Sequence, residues 1–287
     1  MKIINKANPT RFVIPTTLFN CPTDVAILLA TYNGDRFLSQ QLDSILNQTS
    51  QNWTLYINDD GSNDSTQSII DKYVRKYPDK IIDINAAKHQ GCSNNFYSLI
   101  FSVNAKYYMI CDQDDYWIPS KVELSVNEIR KYNGPVIVAS YATLCDSELN
   151  PIEPDFWSKT GMRDKLLTWN YAGVCCSIPG AEMIFNSTLR ECLWNKWDNN
   201  LTYDHWILMI AIKYGKVFNL PIQLRYYRQH ENNVFGANTS YGKKQFILDK
   251  LKSLVKDYFL LKEVGYGSII KYIYYRCLIF IRIKIKK

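Results

Sequence analysis

Three carboxylates, Asp112, Asp114 and Asp115, crowd into four positions directly after the apolar run at residues 107–111. Like charges this close repel and raise one another's pKa unless a cation or a set of donors neutralises them. The pattern asks for a metal, and an all-oxygen carboxylate set suits Mg²⁺ or Mn²⁺ better than Zn²⁺. The run before it reads as a buried strand, and the carboxyl end of such a strand is where open α/β sheets place ligands. A solvated acidic turn is the alternative for an Asp-x-Asp taken alone. A calcium loop of the EF-hand type does not fit, because Tyr116 and Trp117 stand where its turn glycine and further oxygen ligands belong.

The elements that must position these residues are legible upstream. Residues 25–30 form an aliphatic run, followed by the turn Thr31-Tyr32-Asn33-Gly34 and then Leu38, Leu42, Ile45 and Leu46 at helical spacing. The unit recurs: residues 53–57 read as a strand, the run from Asn58 to Asp64 as a loop, and Ile69, Ile70, Tyr73 and Val74 as a helix. A shorter strand at 81–84, a helix near 95–103, the strand at 107–111 and another at 136–140 complete an alternating α/β half with a mostly parallel sheet flanked by helices. Parallel strands point their carboxyl ends the same way, so the loops 31–34, 59–64 and 112–115 belong on one edge. Beyond Pro151 the alternation is irregular and aromatic-rich, with helices expected at 182–194 and 203–213. Residue for residue, those aromatics read best as core.

A chain of 287 residues with 47% apolar content is ordinary for a globular protein. Eight cysteines without a C-x-x-C pair, and three scattered histidines, make no zinc pattern and read as reduced thiols. The first twenty residues lack the form of a signal peptide, so a cytoplasmic chain is expected. Charge is lopsided: residues 243–287 hold ten Lys and two Arg against three acids, a net +9, which leaves −2 for the body out of a total of +7. A near-neutral body argues against nucleic acid as a partner. No G-x-G-x-x-G follows the first strand and no P-loop occurs, which excludes the usual dinucleotide and ATPase frameworks.

The segments Ala30 to Gly34, Asn58 to Asp64 and Cys111 to Trp117 together resemble the three signatures of family 2 glycosyltransferases. Gly180 to Asn186 resembles that family's acceptor-side segment, Tyr203-Asp204-His205-Trp206 its catalytic-base segment, and Tyr227-Arg228-Gln229-His230 a segment of its rhamnosyltransferase-like members. The resemblance implies a GT-A fold over residues 24–236, between an N-terminal extension (1–23) and a basic, aromatic C-terminal segment (237–287). It implies inverting transfer of a sugar, rhamnose by two short resemblances, from a dTDP- or UDP-linked donor with Mg²⁺ or Mn²⁺. The acceptor is expected to be a lipid-linked saccharide in bacterial surface polysaccharide synthesis.

By the same resemblance, Thr31, Tyr32, Asn33, Asp60, Asn95, Asp112, Gln113 and Arg228 bind the donor. Asp114 and His230 hold the metal, with Asp115 as the second carboxylate candidate, Asp204 is the catalytic base, and Gly180 and Trp117 lie on the acceptor side. From the residues alone, Asn33 caps the following helix or contacts ligand, and both readings stay open. Asp64 reads as an N-cap, and Asp204 alone would read as a first-turn carboxylate favoured by the helix dipole. Lys88-His89-Gln90-Gly91 with Asn95 looks like the family's donor loop. Alternatives to this activity are a nucleotidyltransferase and a non-catalytic nucleotide-sugar-binding protein of the same fold. Residues 269–285 mix Ile, Tyr and Phe with Lys271, Arg276, Arg282 and Lys284, too interrupted to span a bilayer. They read as an amphipathic segment lying on the inner face of an anionic membrane, or as a docked helix with a basic exposed face.

Overall fold

The computed structural model describes residues 18–86, 88–154, 167–193, 201–231, 233, 258–259, 261–262 and 265–285. In chain order the elements are β1 (Phe19–Asn20), β2 (Val25–Thr31), α1 (Asp35–Leu46), β3 (Trp53–Asp59), α2 (Thr66–Lys76), β4 (Ile81–Asp83) and α3 (Cys92–Ser102). There follow β5 (Val103–Asn104), β6 (Tyr107–Cys111), β7 (Tyr116–Trp117), α4 (Lys121–Ile129), β8 (Val136–Cys145), β9 (Pro151–Pro154) and α5 (Trp169–Ala172). A 3₁₀ turn (Gly180–Glu182) leads into β10 (Met183–Asn186), α6 (Ser187–Leu193), α7 (Tyr203–Tyr214), β11 (Lys216–Arg228) and α8 (Ile269–Ile285).

The central sheet runs β4-β3-β2-β6-β10-β8-β11-β7, with β9 paired to β8. Its first four strands are parallel, as alternating strand and helix segments require. Both faces of these strands are covered, so β2 and β3 read as continuous apolar runs. Successive side chains still part to opposite sides. Ala26, Leu28, Tyr108 and Ile110 join α3 and α7 in one core, whereas Val25, Ile27, Leu29 and Met109 join α1, α2 and α4 in the other. Each Leu or Ile so enclosed contributes about 1.5–3 kcal/mol.

The second half departs from the expected pattern. β10 lies antiparallel between β6 and β8, and β7 antiparallel to β11, so antiparallel strands extend the parallel set of the first half. The helix expected over 182–194 is instead a 3₁₀ turn, the strand β10 and the short helix α6. Its apolar residues Met183, Ile184 and Phe185 fill a gap in the sheet, where tertiary pairing overrides helical spacing. The thirteen-residue β11 was not anticipated, because Pro221 interrupts it. The structure accommodates the proline at a register shift between Asn219 and Gln223, the kind of irregularity to which prolines in sheets are confined.

Candidate active site

Register fixes the convergence of the polar loops. Thr31 pairs with Asp59 and Leu29 with Cys111, so the loops after β2, β3 and β6 leave the same edge. The start of α3 joins them. Cys92 is exposed there, and its thiol is pushed up to about 12, first by the protein around it and then by the carboxylates of Asp112, Asp204, Asp60 and Asp114. One thiol therefore senses four acids drawn from two loops and from the first turn of α7.

Most side chains expected to touch the donor are turned toward the protein's own backbone. Thr31 is buried and donates its hydroxyl to Asp59 Oδ1 at 2.8 Å. Asp59, which the sequence did not single out, also accepts from Ser62 Oγ at 2.5 Å and from the backbone N–H groups of Gly61 and Ser62 at 3.1 and 2.8 Å. Asp60 accepts the N–H groups of Gln90 and Gly91, both at 2.8 Å, and so holds the loop before α3. Asn95 is buried and reciprocally bonded to Asn58, at 2.7 and 2.9 Å. Asn33 sits at φ 47° and accepts from the backbone of Asn63 at 2.9 Å, so its side chain joins two loops and does not cap α1. Asp64 accepts the N–H of Thr66, the first residue of α2, at 3.0 Å. Gln113 clasps both backbone polar groups of Tyr32, at 2.9 and 3.0 Å. The Tyr32 ring is half exposed above this lattice.

Beneath the loops lies a set of buried ions. Arg225, 1% exposed, pairs through Nη1 with Asp115 Oδ2 and through Nη2 with Glu182 Oε1 at 3.5 Å. Burial alone would depress the guanidinium, but Asp115, Glu182 and Asp112 more than reverse this and hold it charged. Asp115 is thereby turned inward, away from any metal, and burial still lifts its carboxyl to about 6 against the pull of Arg225. Lys121 is buried over the Trp117 ring, donating to Ala181 O at 3.1 Å and Ser140 Oγ at 3.3 Å. Its ammonium is pushed down to about 7 by burial and then by Arg225. Trp117, expected on the acceptor side, is fully buried in the core below and offers no surface to an acceptor.

Arg228 is likewise not open to a diphosphate. It is 2% exposed, stacks 4.3 Å above Phe37, and gives its donors to Asp114 O at 2.8 Å, to Ser147 O and to Gln40 Oε1. It positions the Asp114 backbone. Two residues further on, His230 Nε2 lies 2.9 Å from Asp114 Oδ2, with the imidazole packed 4.9 Å from Phe37. Among the described residues no group of three or more His, Cys, Asp and Glu is gathered as a metal cage. A hard cation that takes one or two protein ligands and completes its shell with phosphate oxygens needs no such cage. The site has an unmet demand for positive charge, because burial, Asp115, Asp114 and Asp204 push the Asp112 carboxyl well above its ordinary range despite Arg225. Carboxylate and imidazole at this point fit Mg²⁺ or Mn²⁺ bound together with a diphosphate.

Asp204 stands in the first turn of α7, whose start is tied to α3 by Tyr203 N–H to Ser93 Oγ at 3.4 Å and by Phe96 and Tyr203 rings 4.3 Å apart. Its Oδ1 accepts the backbone N–H of His205 at 2.8 Å. Gly180 is buried and lines no acceptor surface, and a Cβ there would come within 2.3 Å of the Tyr203 hydroxyl. The missing side chain is what lets Tyr203, and with it Asp204, settle.

Comparison with known proteins decides the family. The model of glycosyl transferase family 2 matches residues 26–192. The chain belongs to that family. It is 30% identical over 260 residues to the dTDP-rhamnosyl transferase RfbG of Shigella flexneri, covering 82% of each chain. It is 25% identical over 255 residues to a glycosyltransferase of Nostoc sp., covering 85% of this chain and 77% of that one. Among solved structures, a mannosyltransferase from Pyrobaculum calidifontis in complex with GDP-Man and Mn²⁺ superposes with a TM-score of 0.61 at 15% identity, covering 91% of this chain and 69% of the other. S. aureus TarS residues 1–349 in complex with UDP-GlcNAc gives 0.57 at 13% identity, covering 81% and 66%. These likenesses identify the GT-A fold, and family membership makes the chain a nucleotide-sugar glycosyltransferase. The nucleotidyltransferase alternative finds no support in them.

Proposed function

We propose that this glycosyltransferase moves rhamnose, with inversion, from a dTDP-linked donor to a lipid-linked saccharide during bacterial surface polysaccharide synthesis. The observation that carries the chemistry is the register that brings the loops of Asp60, Asp112 and Asp114 to one edge, where the start of α7 with Asp204 is tied to α3. The donor sugar is supported by the likeness to RfbG, a dTDP-rhamnosyl transferase. Tyr32 offers the base a half-exposed ring. Asp114 and His230 are the residues that would hold Mg²⁺ or Mn²⁺, and Mn²⁺ accompanies GDP-Man in the mannosyltransferase. When bound, that cation neutralises charge on the departing diphosphate.

The remaining steps belong to the chain's own groups. Asp204 holds Oδ1 on the His205 N–H and meets the Cys176 thiol through its side chain, and its carboxylate would take the proton of the acceptor hydroxyl. As that oxygen bonds to the anomeric carbon from the face opposite the diphosphate, the old carbon–oxygen bond breaks and its electron pair leaves with the diphosphate. Asp60 and Gln113 hold the loops that shape the donor pocket and need not touch the base. The +9 charge of residues 243–287 fits work at the cytoplasmic face of an anionic membrane, where a lipid-linked acceptor would reside.

The test is donor turnover by the purified chain with Mg²⁺ or Mn²⁺ across dTDP-rhamnose, other dTDP-sugars and UDP-hexoses. Release of dTDP at least tenfold faster than release of UDP is the expected outcome. A preference for UDP-hexoses would overturn the rhamnosyl reading and leave the family standing.

A further inference from the structure

α8 presents its apolar side outward. On a helical projection at about 100° per residue, Tyr272 and Ile279, both buried, mark one face, and Ile270, Ile273, Tyr274 and Cys277 mark the opposite one. Ile270 is 77% exposed, Tyr274 58% and Ile273 52%. A surface helix ordinarily turns its polar stripe to water, so this arrangement leaves a row of large apolar groups exposed. Lys271, exposed, lies to one side of that row, and Arg276, bonded to the Tyr272 hydroxyl at 2.7 Å, lies to the other. No helix among the described residues is long and apolar enough to cross a membrane. An apolar stripe flanked by cations, in a segment of net +9, is complementary to the acyl boundary and anionic headgroups of a bilayer.

The inner face of the same helix is anchored near the catalytic end of the molecule. Tyr275 meets the Tyr171 ring edge-on at 4.9 Å and accepts from Asn170 Nδ2 at 3.2 Å, which fastens α8 to α5. The Tyr266 ring fills the space beside Gly173, where a Cβ would approach within 2.1 Å. At the end of α5, Ala172 O lies 2.6 Å from His205 Nε2, next to Asp204 in the chain. One short helix therefore separates the outward apolar stripe from the turn that carries the base.

We propose that α8 docks the protein on an anionic lipid bilayer through Ile270, Ile273 and Tyr274, which brings the α7 start close to the membrane surface. The docking itself is independent of the donor sugar; its use in delivering a lipid-linked acceptor rests on the proposed function. The test is flotation of the full chain with phosphatidylcholine vesicles and with vesicles containing about one-third phosphatidylglycerol, at low and at 0.5 M salt. Binding to the anionic vesicles, weakened severalfold by salt, is expected. The double variant Ile270→Asp, Ile273→Asp should lower it at least tenfold with an unchanged circular-dichroism melt, and Ile270→Trp should strengthen it. Equal flotation of the Asp variant and the parent, or equal binding to neutral and anionic vesicles, overturns the proposal. So does light scattering that shows a dimer which the Asp variant converts to monomer, because the face would then be covered by a second copy. Donor hydrolysis without vesicles should be the same for parent and Asp variant; its absence from both would count against the glycosyl-transfer reading and not against docking.

Discussion

The loops of the parallel half and the ion cluster of the mixed half use carboxylates in opposite ways. In the first, Asp59, Asp60 and Asp64 accept backbone N–H groups from neighbouring turns, and the cost of holding charge is met locally. In the second, Asp115 and Glu182 both pair with Arg225, on a strand from a later part of the chain. Asp112 and Asp114 lie between these regimes, with too few protein donors for their charge. The lesson is that an acidic loop is a candidate cation site where its carboxylates are left over after both kinds of internal pairing.

Breaking the left-over pair should have the largest effect. Asp114→Ala is expected to lower turnover by about 10²–10³-fold, the scale of losing one transition-state charge stabiliser, and to weaken Mn²⁺ binding measured by calorimetry with dTDP present. Breaking the distant pairing tests the other side of the comparison. Arg225→Met leaves Asp115 and Glu182 buried without their cation, and removal of one partner of a buried pair costs about 3–5 kcal/mol. Chemical denaturation should show that loss, and a change below 1 kcal/mol would mean the cluster is not what holds β11 to the acidic loop.

Two smaller effects sharpen the assignment of positions to structure and not to ligand. Gly180→Ala should cut turnover by roughly tenfold, since a displacement near 1 Å at a catalytic group can cost up to 10², while donor affinity stays the same. Lys121 supplies a pH signature. Its folded ammonium releases a proton near pH 7, whereas the unfolded chain holds that proton to about pH 10.4. Between those values the unfolded state binds more protons, so this group makes stability rise with pH. Thermal melts of Lys121→Met across that window should show a shallower rise than the parent.

The strands and loops of the first half were legible in the sequence because two-sided burial makes uninterrupted apolar runs, and Asn- and Asp-rich turns end them at one edge. That the loops after β2, β3 and β6 meet at one edge was legible as well, but not what each side chain does. Asp60, Asn95 and Arg228 look like ligand contacts in one dimension, and in three they organise the loops. Arg225 alternates with apolar and aromatic neighbours along β11, a pattern that reads as a solvent-facing position until pairing with β7 and β8 encloses it. Trp117 borders the acidic signature in sequence but points into the core under it. Nothing local distinguishes these outcomes, because each is decided by a partner far along the chain.

The central claim is that the acidic edge binds the donor while α7 supplies the base, so the two functions should separate. The direct measurement is donor affinity and sugar transfer for Asp204→Asn, with a lipid-linked or soluble saccharide as acceptor. Unchanged donor affinity with transfer reduced by about 10²–10⁴-fold, the usual span for losing a general base, is the result predicted. Full transfer by Asp204→Asn would contradict the account.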